Sequence, residues 1–179
     1  MKYLFKLSCL ALLISLSSCN QDKFEPDYTN GKATALRNGE TWIGKGRGTI
    51  NNQGIGIDMY YDVFDDFGQL RQNLFFRKIP PNSGVYPIFN TSTQAKDSIP
   101  GCIYMTFSFD GDVIEDVYKV VESETESTVT VLSYDESTRL FTGKFKLKLY
   151  KDPNPNNPTP NNPDTIFFKT GEFEVKIEE

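Results

Sequence analysis

Residues 141–150 alternate without a break. Phe141, Gly143, Phe145, Leu147 and Leu149 share one face, while Thr142, Lys144, Lys146, Lys148 and Tyr150 share the other. Side chains along a strand point alternately to opposite faces, so a strictly period-two pattern commits its segment to a half-buried strand and rules out a helix. The same period returns near the C-terminus, with Phe173, Val175 and Ile177 facing in and Glu172, Glu174 and Lys176 facing out. From Ala33 onward, turn residues interrupt this alternation every eight to twelve positions, and no window reads as a helix. Nine to eleven antiparallel strands in one domain are expected. A β-sandwich is the expected architecture, with a lipocalin-like closed barrel as the alternative.

Within that frame, Ile55 to Phe64 predicts a strand with Ile57, Met59, Tyr61 and Val63 on one face. Asp65-Asp66-Phe67-Gly68 then reads as a turn, and Gln69 to Lys78 as the partner strand. A four-residue loop pairs Val63 with Leu70, Met59 with Leu74 and Ile57 with Phe76, and sets Asp62 opposite Arg71. Cys102 to Phe109 alternates with Ile103, Met105, Phe107 and Phe109 on the apolar face, and Asp110-Gly111 is a hairpin signal. The register of that second hairpin stays open, because either good alignment puts an acid among apolar residues. Residues 152–164 hold five prolines and five asparagines, so they cannot donate to a ladder and should project as a stiff polar loop.

The chain begins with Lys2 and Lys6, then a ten-residue apolar run from Leu7 to Leu16. A basic start, a short apolar run and small residues before a cut form an export signal. The run falls short of the roughly 20 residues a permanent membrane helix needs. The tetrapeptide Leu16-Ser17-Ser18-Cys19 resembles the bacterial lipobox. The resemblance implies removal of residues 1–18, lipidation of Cys19 and retention on a membrane by two or three acyl chains. Residues 19–32 then read as a flexible tether spanning roughly 20 Å, and residues 33–179 as a single β domain. Acidic Asp22, Glu25 and Asp27 soon after the cysteine resemble a surface-display signal of Bacteroidetes-type lipoproteins. Outer-membrane anchoring is expected, with the domain on the periplasmic or the cell-surface side.

Removing Lys2 and Lys6 with the signal leaves 17 basic against 24 acidic residues, a net charge of −7. Nucleic-acid binding is not expected, since phosphates call for a basic footprint. The chain contains no histidine, which removes Ser-His-Asp and Cys-His catalysis and the commonest transition-metal ligand. With Cys9 in the signal and Cys19 lipidated, only Cys102 remains, and it reads as a small buried hydrophobe. No cofactor or metal is expected.

Five further groups invite a functional reading. Asp58 and Asp62 lie about 13 Å apart along their strand, too far for a glycosidase pair, and read as a solvated face. Asp110-Gly111-Asp112, with Glu115 and Asp116, lacks calcium-loop spacing and reads as a turn. Lys144, Lys146 and Lys148 face Glu172 and Glu174, which reads as a charge ladder. Tyr60, Phe75 and Tyr104 sit on the more polar faces of their strands and could form a sugar-stacking platform. Asp97-Ser98-Ile99 and Asp164-Thr165-Ile166 resemble the Bacteroidetes O-glycosylation motif, which makes Ser98 and Thr165 candidate acceptors.

The whole β domain resembles small Bacteroidetes lipoproteins of unknown function. The residues that carry this are Asn38-Gly39-Glu40-Thr41-Trp42, Gly84-Val85-Tyr86, Tyr134-Asp135, Gly143-Lys144-Phe145 and Thr170-Gly171-Glu172-Phe173. Val85 and Lys144 stand where threonine is usual. The resemblance implies a fold and no functional residue beyond Cys19. The lipocalin Gly-x-Trp is absent, since Gly39 and Trp42 are separated by two residues. The expected function is a lipid-anchored, non-enzymatic binding or structural module whose partner is a glycan or protein of the envelope. The alternatives are a carrier of a small apolar ligand, which needs a hollow barrel, and a glycan hydrolase, which needs facing carboxylates.

Overall fold

The computed structural model describes residues 30–51, 54–90, 98–121, 126–153 and 162–178. They form an all-β fold of eleven strands: β1 (Gly31–Arg37), β2 (Glu40–Ile50), β3 (Ile57–Phe64), β4 (Leu70–Ile79), β5 (Gly84–Pro87), β6 (Phe89–Asn90), β7 (Gly101–Phe107), β8 (Ile114–Val120), β9 (Thr128–Asp135), β10 (Leu140–Lys151) and β11 (Thr165–Glu178).

Eight of these close into a ring in the order β1, β2, β3, β4, β7, β8, β10, β11 and back to β1, every neighbouring pair antiparallel. The expected β-sandwich is therefore corrected to the alternative, a closed barrel. A sandwich keeps two separate sheets, whereas here the last strand bonds to the first: Ala33 lies opposite Phe173 on one side and Gly44 on the other. Bulges at Thr34/Leu36 and Phe145/Leu147 add the local bend and twist that closure requires. Beyond the start of β1, the overhanging Ile177 and Glu178 pair parallel with Gly48 and Thr49 of β2 and complete the seam.

Three further strands elaborate the ring, two of them short. β9 pairs β10 over Leu140–Lys146, beside the stretch Leu149–Lys151 that β8 pairs. β5 adds to the free edge of β9, and β6 lies parallel to the start of β7.

An eight-stranded barrel is just wide enough for side chains to fill, and this one is filled. Met59, Tyr61, Leu74, Phe76, Tyr104, Tyr118, Phe141 and Val175 are all fully buried. Edge-on contacts knit opposite walls together, with ring centroids 5.3 Å apart for Phe76 and Phe145 and 5.4 Å for Tyr104 and Phe168. The inward face of β2 gives up volume to make this possible. A Cβ on Gly46 would lie 2.4 Å from the Tyr61 ring, so only glycine leaves that ring its place.

The alternating faces of β10 and β11 are as expected, with Phe141, Phe145, Leu147 and Leu149 buried opposite Phe173, Val175 and Ile177. Two expectations are corrected. The β3–β4 hairpin pairs Tyr61 with Leu74 and Met59 with Phe76, two residues away from the predicted register. Two features make the shift, one residue each. Asp65 closes the turn on Gln69, its carboxylate accepting from the Phe67 and Gln69 backbones and from Arg71 and its own N–H bonding Gln69 O. A bulge follows between Val63 and Phe64. A slip of two leaves every side chain on its face. On β7 the inward face carries Cys102, Tyr104 and Thr106, so the side holding Ile103 and Met105 points outward and is half-buried. Ile103 there is the register partner of Phe75.

The chain enters at one end of the barrel. Asn30 O accepts from Lys176 N next to the C-terminal end of β11, and the β9–β10 turn lies at that same end. The β1–β2, β3–β4 and β7–β8 turns and the β10–β11 connection lie at the other.

Candidate functional site: the polar mouth

Away from Asn30, the inward-facing positions change from apolar to polar. On β1 the inward sequence is Ala33, Ala35, Arg37. The small alanines admit the neighbouring rings, and the next inward residue is a base. Arg37 Nη1 donates to Tyr104 Oη at 2.7 Å, crossing the lumen to the strand diametrically opposite in the ring. Trp42 on β2 reaches past β3 to β4, its Nε1 donating to Gln72 Oε1 at 2.8 Å. These two bonds form the floor of the mouth.

At the rim, Asn162 and Pro163, just before β11, are tied to β8 and β10. Tyr118 donates to Pro163 O at 3.0 Å, and Lys151 Nζ donates to Asn162 O at 2.9 Å. Asn162 Nδ2 in turn donates to Asp116 at 2.5 Å, and Asp116 lies 3.5 Å from Lys151. That ion pair is nearly buried and closes on itself.

Between rim and floor is a cavity of about 260 Å³, lined by Arg37, Asn38, Glu40, Thr106, Tyr118, Asn162, Pro163 and Ile166. Burial pushes the Tyr104 phenol up to about 12, with the Arg37 charge opposing, and burial likewise raises Tyr118. Both phenols stay neutral and keep their protons. Thr106 Oγ1 is buried without a hydrogen-bond partner among the described residues. A buried hydroxyl left unpaired costs about 1–3 kcal/mol, and in a cavity wall it is a ready contact for a bound molecule.

The groups singled out in the sequence fall elsewhere. Cys19 and Asp97 lie outside the described residues. Ser98 is exposed and outside any strand, whereas Thr165 opens β11, half-buried and paired with Tyr150. Cys102 is buried, and its thiol is pushed far up by desolvation.

The acids expected on a solvated face are buried. Asp58 accepts from Asn51 Nδ2 and Lys78 N, both at 2.8 Å, and Asp62 from Asn73 at 2.6 Å. Arg71, expected opposite Asp62, instead pairs with Asp65 at 2.9 Å. The charge ladder is present at Lys144 and Glu172, 3.3 Å apart, while Lys148 turns to Glu126 at 2.7 Å. Gly111 takes a left-handed turn conformation, as the Asp110-Gly111 hairpin signal requires. Among the described residues no cluster of three or more acid, cysteine or histidine side chains is arranged to hold a metal.

The aromatic platform does not assemble. Tyr60 and Phe75 stack on each other at 4.3 Å with Arg47 over the Tyr60 face, and Tyr104 lies in the lumen.

Arg37, Glu40 and Thr106 were not among the sequence candidates. Parity could have found Arg37, because alternation from Ala33 and Ala35 turns a charged side chain inward. No family model, curated protein or solved structure matches this chain.

Proposed function

We propose that this chain is a lipid-anchored envelope protein of the small Bacteroidetes type, and that it works as a non-enzymatic binding module. The observation that supports it most is the layout of the barrel. The tether from Cys19 would reach Asn30 at one end, and the polar mouth opens at the other. A domain held this way faces its mouth away from the membrane. With roughly 20 Å of tether, it stands clear of the lipid surface.

The closed ring also suits a carrier. Here the lumen is occupied by fully buried rings such as Tyr61, Phe76 and Phe141, so a bound molecule belongs at the mouth and an apolar ligand in the barrel has no place. The hydrolase reading gains nothing from the mouth, because Asp116 is held by Lys151 and Asn162.

Metabolic labelling with an alkyne palmitate tests the anchor. The wild-type protein should carry label and sediment with outer membranes, and Cys19→Ser should lose both. Label retained on Cys19→Ser, or wild-type protein in the soluble fraction, would sink the reading.

A further inference from the structure

The β1–β2 hairpin places Arg37 directly opposite Glu40 across the Asn38-Gly39 turn. A base and an acid so placed ordinarily pair. Here the guanidinium instead turns inward to Tyr104, and among the described residues neither Arg37 nor Glu40 has an ion-pair partner. Two further charges beside the mouth, Asp116 and Lys151, pair with each other. Among the described residues, a cation and a carboxylate without ion-pair partners thus line the same 260 Å³ cavity, together with a Thr106 hydroxyl that has no hydrogen-bond partner there.

We propose that the mouth binds a small zwitterionic solute, a free α-amino acid, with its carboxylate on Arg37 and its ammonium on Glu40. Arg37 spends one donor on Tyr104, and its planar fork keeps others for a carboxylate. Tyr104 fixes that fork in place, so little freedom is lost when the ligand arrives. Glu40 is exposed on the rim and meets the ammonium at the entrance. Thr106 supplies a hydroxyl to the bound carboxylate or to the side chain of the solute. The cavity is smaller than the roughly 300–1,000 Å³ of sites for drug-sized ligands, which excludes an extended peptide or glycan chain from its interior.

This deepens the binding-module reading and rests on it, but the two fail separately. Missing palmitate on Cys19 would remove the anchor alone, and missing amino-acid binding would remove this site alone.

The test is calorimetric titration of the detergent-solubilised mature protein with L-alanine, L-serine and L-leucine. Propionate and ethylamine, which carry one charge of alanine each, serve as controls. At least one amino acid should bind saturably, about tenfold or more tighter than either control, a gap of about 1.4 kcal/mol. Glu40→Gln, a rim substitution with no packing role, should weaken it by a similar factor, and so should Arg37→Gln. No saturable binding of the three amino acids overturns the proposal. So does propionate binding as tightly as alanine, or a Glu40→Gln protein that binds like wild type.

Discussion

Arg37 and Tyr104 stand on opposite walls of the barrel, and the guanidinium donates to the phenol oxygen across the lumen at 2.7 Å. This single bond ties β1 to β7 where the packed apolar interior gives way to the polar mouth. Hydrogen bonds to charged groups contribute about 1.5–3 kcal/mol net. Tyr104→Phe should lower stability by about that amount in urea unfolding, with an unchanged dependence on denaturant. A substitution with no measurable cost would show that the crossing is incidental.

Gly143 is an inward position where the barrel has no room for a side chain. A Cβ there would lie 2.4 Å from the Phe173 ring and 2.5 Å from the Thr130 carbonyl oxygen. The ring could move, but the carbonyl belongs to the β9 backbone and would pull the β9–β10 ladder with it. Gly143→Ala should therefore cost about 1–3 kcal/mol or more, read as a lower midpoint in thermal or urea unfolding.

Cys102 faces the lumen, and burial drives its thiol far above the usual range, so it stays protonated at any ordinary pH. The thiolate is the reactive form. In a Cys9→Ser, Cys19→Ser protein, which keeps Cys102 as its one cysteine, a colorimetric disulfide reagent should leave the native domain unreacted and titrate one thiol on unfolding. Rapid labelling of the native domain would contradict the packing described.

Asp65 is held below the ordinary carboxylate value, first by the Gln69 backbone N–H and then by Phe67 N and Arg71. A depressed folded value stabilises above the unfolded carboxylate value of about 3.9, and the contribution fades as pH falls through the lower folded value. Asp65→Ala should lower the melting temperature at pH 7, and the gap from wild type should shrink below pH 3. A gap constant with pH would mean the turn does not depend on the charge.

Much of this fold was legible in period-two patterning, and the failures have local causes. β10 and β11 read correctly because their outer residues are charged, so the two faces differ sharply. β7 read inside out. Its outer Ile103 and Met105 are more apolar than its inner Cys102 and Thr106, because they too are half-buried on the outer face. The β3–β4 register slipped by two because Asp65 captures the turn with side-chain hydrogen bonds and a bulge follows between Val63 and Phe64, neither of which alternation reports. Closure was out of reach for a related reason. It depends on β11 pairing with β1 across one bulge and with β10 across another, and pairing between distant strands leaves no periodic trace. At the mouth, Arg37 was hidden because exposed arginines are common, and only its parity marked it as inward.

The mouth and the filled lumen exist only if the ring is closed, and its narrowest seam is between β8 and β10, where three register pairs join the strands. Lys119 and Tyr150 are partners there, on the outer face. Antiparallel partners have Cα atoms about 4.5–5.5 Å apart, within reach of a disulfide. The most direct measurement is oxidation of a Lys119→Cys, Tyr150→Cys double variant of the folded protein, followed by non-reducing electrophoresis and thermal unfolding. A closed barrel predicts rapid internal cross-linking and a melting temperature equal to or above that of the reduced form. Cysteines that stay reduced in the native protein, or cross-link only after unfolding, would contradict it.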